Sequence, residues 1–234
     1  MTFNHYLKTI GLPHLNSSIQ ELHLNEHVKT WFDQPLPALD TDEIRQLYTY
    51  RVPKLGPGGS CSITDELEET PYDLSETFAL REKSLEKQSL TIRLWHFRGI
   101  VESLHQETAV DWLGIYQTIE KANGDRVLVK LAYQGAPSRA EFPLTEEFAK
   151  NSNNSTVGLT GKAVIFQDIE EYQGPYYKCD SKVQSEFCVP ILNSEGAIRG
   201  IIDAESFQKQ FFTAERLLQI AKVCFDLGHV DPFF

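Results

Sequence analysis

The sequence predicts an α+β fold that combines antiparallel strand pairs with long helices, and the strand pairs are the first evidence. Residues 186–192 and 198–205 form two strand-like runs separated by a turn of Asn, Ser, Glu and Gly, which predicts a β-hairpin. Residues 112–118 and 127–133 flank an Asn-Gly pair, the dipeptide typical of tight hairpin turns. Strands joined by such short turns run antiparallel.

Helical periodicity is the second observation behind the fold class. One apolar stripe at spacings of three and four predicts a long helix over 87–107, and its members are Leu90, Leu94, Phe97, Val101 and Leu104. A closing helix is predicted over about 213–227, with Thr213 as its N-cap and Gly228 at its end. Cys224 lies on the apolar stripe of that helix, which predicts a buried structural thiol.

The N-terminal part of the chain predicts short helices followed by a linker. Residues 25–32 and 41–50 are the clearest helical segments, and Thr41 is the expected N-cap of the second. Residues 52–77 are rich in Gly, Pro, Ser and acidic side chains, a composition that predicts a linker or long loop.

The rest of the chain completes the predicted domain organisation. Residues 145–157 are polar, and we expect a flexible centre there, followed by a turn and a short strand at 164–166. We therefore expect a helical N-terminal extension with its linker over 1–86 and one folded domain over 87–230.

Composition excludes several classes of function. The 234 residues are 41% hydrophobic and 24% charged, which is ordinary for a globular protein. The net charge of -11 argues against nucleic acid as the main partner, because phosphate contacts need clustered Lys and Arg. No stretch approaches the roughly 20 apolar residues of a membrane helix, and the N-terminus lacks a signal-peptide pattern. We expect a cytoplasmic protein that does not bind membranes.

Cysteines and histidines give no sign of a metal site. The cysteines at 61, 179, 188 and 224 show no Cys-x-x-Cys spacing and are too few for a disulfide framework. His23 and His27 could share a helix face, but no third ligand is near them in sequence. A solvated helix face is the better interpretation, and we expect neither a metal nor a cofactor.

The hairpin at 186–205 carries the residues that point to a site. Side chains alternate along a strand, so Asp203 and Glu205 share one face, and Glu186 and Cys188 share a face of the partner strand. Carboxylates are rarely buried without a partner, so a pocket for a cationic ligand would explain three of them on hydrophobic strands. The alternative is that these acids lie on a solvated face of the sheet.

Five short motifs give the chain a resemblance to one family. They are WLGIY (112–116), YQG (133–135), KCD (178–180), SEFCVPI (185–191) and IIDAES (201–206). In order and spacing they resemble the GAF domain, and specifically its free methionine-R-sulfoxide reductase branch. The resemblance covers about residues 88–228. It implies a GAF-like central antiparallel sheet flanked by helices, and a homodimer to which the long helix contributes.

The resemblance also implies a small-molecule ligand, free methionine sulfoxide or a similar amino acid. Its ammonium group would be bound at the acidic positions of the family. The implied ligand-binding residues are Trp112, Tyr116, Asp180, Glu186, Asp203 and Glu205. On pattern alone, Trp112 and Tyr116 are equally well explained as core aromatics, which could still line a cavity wall.

Cys179 matches the catalytic cysteine of the family, and Lys178 beside it would favour the thiolate. The thiolate would attack the sulfoxide sulfur while a protonated carboxyl donates to the departing oxygen. The cysteine would become a sulfenic acid, with which a second thiol condenses.

Departures from the family concern this second thiol and the size of the pocket. The family's resolving cysteine lies in a Gly-X-Cys-Gly turn, which here is GLTG at 158–161, and a further family cysteine near Arg139 is also missing. Glu205 stands where an Asp is usual. We hypothesise that Cys188 replaces the resolving thiol, because it should face the same way as Glu186. Otherwise Cys188 is a small buried hydrophobe at a position where the family has an aliphatic residue. An external thiol reductant could also regenerate Cys179 directly.

Three functions remain open on the sequence. The first is a thiol-dependent reductase of free methionine sulfoxide, and the second is a GAF sensor in signalling that keeps the acidic pocket without turnover. The third is an interaction protein whose sheet and long helix mediate dimerisation. The missing resolving cysteine favours the sensor over the reductase, whereas the joint presence of Cys179, Glu186 and Asp203 favours the reductase over the interaction protein. Residues 1–86 carry no functional signal.

Overall fold

The computed structural model of the protein describes residues 1–56, 66–80, 84–174 and 180–230. Its α-helices are α1 (Phe3–Thr9), α2 (His27–Phe32), α3 (Thr41–Tyr48), α4 (Leu74–Thr77), α5 (Leu85–Thr108), α6 (Glu146–Ala149), α7 (Asn153–Thr160) and α8 (Ala214–Leu227). Its strands are β1 (Thr49–Tyr50), β2 (Tyr72–Asp73), β3 (Trp112–Glu120), β4 (Arg126–Gln134), β5 (Glu141–Pro143), β6 (Val164–Phe166), β7 (Ser185–Leu192) and β8 (Ile198–Ser206). Short 3-10 helices cover Pro13–Glu21 and Ile169–Glu171.

Six of these strands form one antiparallel sheet in the order β5-β4-β3-β8-β7-β6. The two predicted hairpins, β3–β4 and β7–β8, make up its centre and join through β3 and β8. Strands β1 and β2 form a separate two-stranded sheet in the N-terminal part. The predicted α+β class, with a central antiparallel sheet flanked by helices, is confirmed.

Local turn chemistry explains both hairpins. In the β7–β8 turn the Asn193 side chain accepts two backbone hydrogen bonds, at 3.1 and 2.8 Å, and Gly196 has a φ of +84°. In the β3–β4 turn Asn123 accepts a backbone hydrogen bond at 3.1 Å, and Gly124 also has a φ of +84°. Glycine adopts such left-handed backbone angles without steric cost, so the two glycines determine where the chain turns back in each hairpin.

The two faces of the sheet are covered differently. Helices α5 and α8 pack on one face, where the predicted apolar stripe of α5 is fully buried. Cys224 of α8 is also completely buried, as predicted. The opposite face, which we call the site face, is covered by α7 and a second apolar cluster. That cluster consists of Trp112, Tyr116, Leu128, Phe142, Leu144, Val157, Cys188 and Ile201.

Two predicted helix caps had different outcomes. Thr213 caps α8 by accepting the backbone N–H of Arg216, which confirms the prediction. Thr41 is not the N-cap of α3, because it already lies within the helix. The cap is Asp40, whose carboxylate accepts the N–H of Glu43 while the Glu43 side chain accepts the N–H of Asp40.

The segment 145–157, predicted to have a flexible centre, is largely helical instead. Thr145 caps α6 and Ser152 caps α7, each through its side-chain oxygen. These two caps satisfy backbone N–H groups at the helix starts, which is why a polar sequence without an apolar stripe forms helix here. The expected turn at 158–161 is the last turn of α7, and its left-handed residue is Gly161.

The N-terminal part departs from prediction at two places. The described residues of 52–77 include β2 and α4, where a long loop was expected. His27 is buried in α2 rather than solvated, because its ring nitrogens bond Ser103 and Glu107 of α5. His23 precedes the helix and does not share its face.

The N-terminal helices share an apolar core with the sheet and its helices. Tyr6 and Leu7 of α1 are fully buried, and the Tyr6 hydroxyl donates a 2.6 Å hydrogen bond to the backbone carbonyl of Pro190 in β7. The division at residue 86 stays a prediction. Among the described helices, none combines the length and apolar character needed to cross a membrane.

Candidate functional site

The predicted acidic residues lie together at the centre of the site face. Glu186 of β7 pairs with Glu205 of β8, and Cys188 pairs with Asp203 one step further along. On the other side of β8, Trp112 of β3 pairs with Glu205. Directly paired residues point to the same face of a sheet, so the three carboxylates, the thiol and the indole form one contiguous patch.

These carboxylates are buried, which excludes the solvated sheet face considered for the sequence. Glu186, Asp203 and Glu205 are only 3%, 4% and 9% exposed. A buried carboxylate without a partner is strongly unfavourable, so each must be hydrogen-bonded, protonated or neutralised by a ligand.

Two amides of α7 supply part of that compensation. Asn153 Nδ2 donates to Glu186 Oε2 at 2.7 Å, and Asn154 Nδ2 donates to Asp203 Oδ2 at 3.1 Å. The other carboxylate oxygen of Asp203, Oδ1, is buried and has no hydrogen-bond partner among the described residues. The site therefore contains one buried acceptor that a ligand could satisfy.

Burial and mutual repulsion change the ionisation of this patch. Burial raises the pKa of Asp203 well above its usual value, and the neighbouring carboxylates of Glu186 and Glu205 raise it further. Burial also raises the pKa of the Cys188 thiol, with Asp203 and Glu186 adding to the effect. Asp203 is thus suited to carry a proton, and Cys188 stays a neutral thiol at neutral pH.

The aromatic side of the patch depends on two glycines. The Trp112 ring lies against Gly114 and Gly135, where an added Cβ would approach ring atoms to 2.3 and 2.6 Å. Its Nε1 donates a 3.0 Å hydrogen bond to the backbone carbonyl of Ala136. Larger residues at either glycine would force the indole to move, so the two glycines define its position.

Tyr116 continues the aromatic wall away from the acids. It is 1% exposed, and its ring centroid is 6.3 Å from that of Trp112 and 5.5 Å from that of Phe142. Both Trp112 and Tyr116 belong to the apolar cluster of the site face, which also contains Cys188. They are core aromatics that border the acidic patch, and their predicted role in ligand binding stays a prediction.

Lys130 of β4 is a buried cation behind this wall that the sequence did not single out. Its side chain is completely buried, and its Nζ donates to the backbone carbonyl and the hydroxyl of Ser138, both at 2.8 Å. The ammonium lies 4.0 Å from the ring centroid of Tyr133 and 5.8 Å from that of Trp112. These contacts hold the loop that also accepts the Trp112 hydrogen bond.

The remaining predicted site residues belong to the KCD motif at 178–180. Cys179 and Lys178 lie outside the described residues. Asp180 is described, and its carboxylate accepts the backbone N–H of Lys182 at 2.9 Å, so it stabilises its own turn. The proposed roles of these residues therefore rest on the sequence motif.

Asn153 and Asn154 are the site residues that sequence reasoning missed. They are part of glycosylation sequons and of a segment expected to have a flexible centre. The signal that could have found them is Ser152, an N-cap residue that predicts a helix start and thereby a fixed position for both amides.

A concavity lies away from the acidic patch, between α3, α5 and the end of β4. It has a volume of about 370 Å³, and its lining includes Tyr50, Tyr133 and the ion pair of Arg98 with Glu102. Both members of that ion pair are about half exposed, with 52% and 44% of their side-chain surface accessible. Exposed ion pairs of this kind contribute little free energy. We therefore regard the buried acidic patch, rather than this cleft, as the candidate site.

The sequence of this chain matches one protein family. The family model of the GAF domain matches residues 97–227, more than half of the 234-residue chain. The chain therefore belongs to the GAF domain family, and the predicted resemblance is confirmed.

Particular relatives within this fold are free methionine-R-sulfoxide reductases. The chain is 27% identical over 121 residues to the free methionine-R-sulfoxide reductase of Saccharomyces cerevisiae, a match that covers 51% of this chain and 59% of the yeast protein. It is similar to the structure of the type II enzyme from Thermoplasma acidophilum, with 22% identity, a TM-score of 0.48 and coverage of 56% and 86% of the two chains. The structure of the Neisseria meningitidis enzyme in complex with its substrate gives 23% identity, a TM-score of 0.45 and coverage of 56% and 74%.

Proposed function

We propose that this GAF-domain protein binds free methionine sulfoxide at the acidic patch and reduces it, with Cys179 as the nucleophile. The observation that carries the proposal is the burial of Glu186, Asp203 and Glu205 on one face beside Trp112. A ligand ammonium would donate to Asp203 Oδ1, the buried acceptor without a partner among the described residues, and the sulfoxide side chain would lie against the aromatic wall. The similarity to the yeast reductase supports this choice of ligand.

The proposed reaction uses one thiolate and one buried acid. The Cys179 thiolate attacks the sulfoxide sulfur, and a protonated carboxyl of the patch donates to the sulfoxide oxygen. The S–O bond breaks, free methionine leaves, and the oxygen with its proton stays on Cys179 as a sulfenic acid. The sulfoxide sulfur has then been reduced by two electrons at the expense of the cysteine.

A second thiol must complete the cycle. It condenses with the sulfenic acid, water leaves with the oxygen, and an external thiol reductant then reduces the resulting disulfide. Cys188 faces the patch and is our candidate for this second thiol, although its raised pKa slows attack. Direct regeneration of Cys179 by an external thiol needs no further residue, and it fits a reducing cytoplasm.

We further propose that the chain forms a homodimer along α5. The observation in support is the exposure of two large apolar side chains one heptad apart on this helix, Leu85 at 79% and Ile92 at 39%. Residues seven apart lie on the same side of a helix, so a second copy could cover both.

The second candidate function is a GAF sensor that binds the same class of ligand without turnover. Two observations favour it: GLTG at 158–161 lacks the resolving thiol, and α7 already places two amides on the acids. A sensor needs the acidic patch but neither Cys179 nor a proton donor.

Turnover assays separate the two functions. We expect the protein to convert free L-methionine-R-sulfoxide to methionine with dithiothreitol as reductant, and Cys179→Ser to lower the rate by at least about 100-fold. Cys61→Ser is the matched control, because it removes a thiol outside the family motifs, and the S-sulfoxide is the matched substrate control.

The contrary results are equally specific. Unchanged turnover in Cys179→Ser would refute the proposed nucleophile. No turnover in the unaltered protein, together with a rise in Tm on addition of methionine, would establish the sensor. A protein that neither turns over nor binds these amino acids would refute both candidates.

A further inference from the structure

Helix α7 contributes two adjacent amides to two different strands of the acidic patch. Asn153 reaches Glu186 on β7 at 2.7 Å, and Asn154 reaches Asp203 on β8 at 3.1 Å. Asn154 is itself 4% exposed, so its amide is part of the buried interior rather than a surface contact. A side-chain amide donates hydrogen bonds without adding charge, so the patch is partly satisfied but remains anionic.

The amides are held in place by the rest of α7. Ser152 caps the helix, and the Ser155 hydroxyl donates a 2.8 Å hydrogen bond to the backbone carbonyl of Pro143 in β5. One turn later Gly158 packs so closely that an added Cβ would lie 2.6 Å from Leu144. Withdrawing the amides from the acids would therefore require the whole helix to move, and we treat them as fixed parts of the site.

The amides also restrict what else can bind. Their N–H groups point toward the carboxylates, so a metal ion placed there would meet hydrogen-bond donors as well as acceptors. Among the described residues, no group of His, Cys, Asp and Glu could hold a metal ion. The acceptor left over is Asp203 Oδ1, which is buried and has no partner in the described part of the chain.

We propose that Asn153 and Asn154 set the specificity of the acidic patch for a primary ammonium group that donates to Oδ1 of Asp203. This inference rests on the proposed function, because it names the feature that selects the ligand of that same site. The two amides hold Glu186 and Asp203 in one arrangement, and their N–H donors disfavour a hydrated divalent ion at these carboxylates. They are positioning residues, since their amides contact the carboxylates that receive the ligand.

The pH dependence of binding gives a readout that a purely structural role would not change. The ammonium binds ionised Asp203, so affinity rises as the pH increases through the pKa of this carboxyl. The hydrogen bond from Asn154 favours the ionised form and opposes the rise in that pKa. Without this amide the pKa is higher, and the same affinity is reached only at higher pH.

The test measures binding of L-methionine, the reaction product, by calorimetry between pH 5 and 8 to Asn153→Ala and Asn154→Ala. We expect each variant to bind about tenfold more weakly than the unaltered protein at pH 7, the loss typical of one hydrogen bond to a charged group. For Asn154→Ala we also expect the pH midpoint of binding to move upward. Asn151→Ala removes an exposed asparagine of the same segment and is the matched control.

Further probes separate this inference from the proposed function. N-acetyl-L-methionine, which has no ammonium, and MgCl₂ should not bind to the unaltered protein. Binding of L-methionine that is unchanged in affinity and pH midpoint in both variants would overturn the inference and leave the proposed function intact. Absence of L-methionine and methionine sulfoxide binding in the unaltered protein would overturn both. If Asn154→Ala does not fold, Asn153→Ala decides, because Asn153 is only half-buried.

Discussion

Asp203 illustrates, at the scale of one residue, how burial turns an ordinary carboxylate into a functional group. In the sequence it is one acid in an alternating strand, equally compatible with a solvated face. In the fold it lies between β3 and β7, faces two other carboxylates and keeps one oxygen without a partner among the described residues. Burial raises its pKa most, and the two neighbouring carboxylates raise it further.

Replacement of Asp203 by Asn tests this protonation through stability. The folded-state pKa of Asp203 lies above the unfolded value, so its stabilising contribution is complete below the unfolded pKa and is lost as the pH rises through the folded pKa. Asparagine does not ionise, so it loses no stabilising contribution as the pH rises, and its side-chain oxygen can still accept the hydrogen bond from Asn154. We expect Asp203→Asn to raise the Tm by about 2–4 °C at pH 7, the shift produced by ~1 kcal/mol in a chain of this size.

The same pair of proteins supplies the control for this prediction. Near pH 3, below the unfolded pKa, Asp203 is largely neutral in both the folded and the unfolded state. The difference in Tm should therefore disappear there in thermal unfolding followed by circular dichroism. A variant that is less stable than the unaltered protein at pH 7 would show that Asp203 is ionised and favourably paired.

Several site residues could be predicted from the sequence, and others could not, for a physical reason. Glu186, Asp203 and Glu205 were found because period-two alternation on a strong hairpin fixes which side chains share a face. Asn153 and Lys130 were missed because their partners are at least eight residues away and are set by packing between elements. No local pattern encodes that kind of contact.

Helix α7 is the element on which the site depends most. It is eight residues long and has no marked apolar stripe, so its propensity to form helix is weak. Its cap, its hydrogen bond to β5 and the close packing of Gly158 hold it against the sheet instead. Its position therefore determines where both amides lie.

Removal of the α7 cap tests whether this position matters for binding. We expect Ser152→Ala to lower the free energy of unfolding by about 1 kcal/mol, as is usual for an N-cap, and to weaken L-methionine binding several-fold. Thr213→Ala removes the equivalent cap of α8 on the other face of the sheet. It should cost similar stability in denaturant titrations without changing affinity. Equal loss of affinity in both variants would mean that the effect is only one of general stability.

The success of prediction differed between elements according to how local their determinants are. The hairpins were predicted because each one is encoded within about 20 consecutive residues. Its turn sequence, Asn-Gly or Asn-Ser-Glu-Gly, and its alternating strands are both visible in that stretch. Helix α5 was predicted from its long stripe. Helices α6 and α7 were not, because their evidence consists of single cap residues in polar sequence, and tertiary contacts provide the rest.

At the scale of the whole molecule, the N-terminal extension is packed into the GAF fold. Tyr6 bonds β7, His27 bonds α5, and the Tyr50 hydroxyl donates a 2.7 Å hydrogen bond to the backbone carbonyl of Lys130. The last of these contacts is made to β4, which pairs with the strand that carries Trp112. The sequence predicts a helical N-terminal extension with a linker, because proline breaks and a Gly-rich stretch are local signals. The apolar core that these helices share with the sheet is visible only in three dimensions.

Our central proposal is that the buried acids of the site face bind the ammonium group of a free amino acid. The measurement that tests it most directly is a crystal structure of the full-length Cys179→Ser variant with L-methionine-R-sulfoxide. We predict that the ligand lies on the site face with its ammonium within hydrogen-bond distance of Asp203 Oδ1 and its side chain beside Trp112. A ligand bound instead in the cleft between α3 and α5, or a site face without ligand at saturating concentration, would contradict the claim.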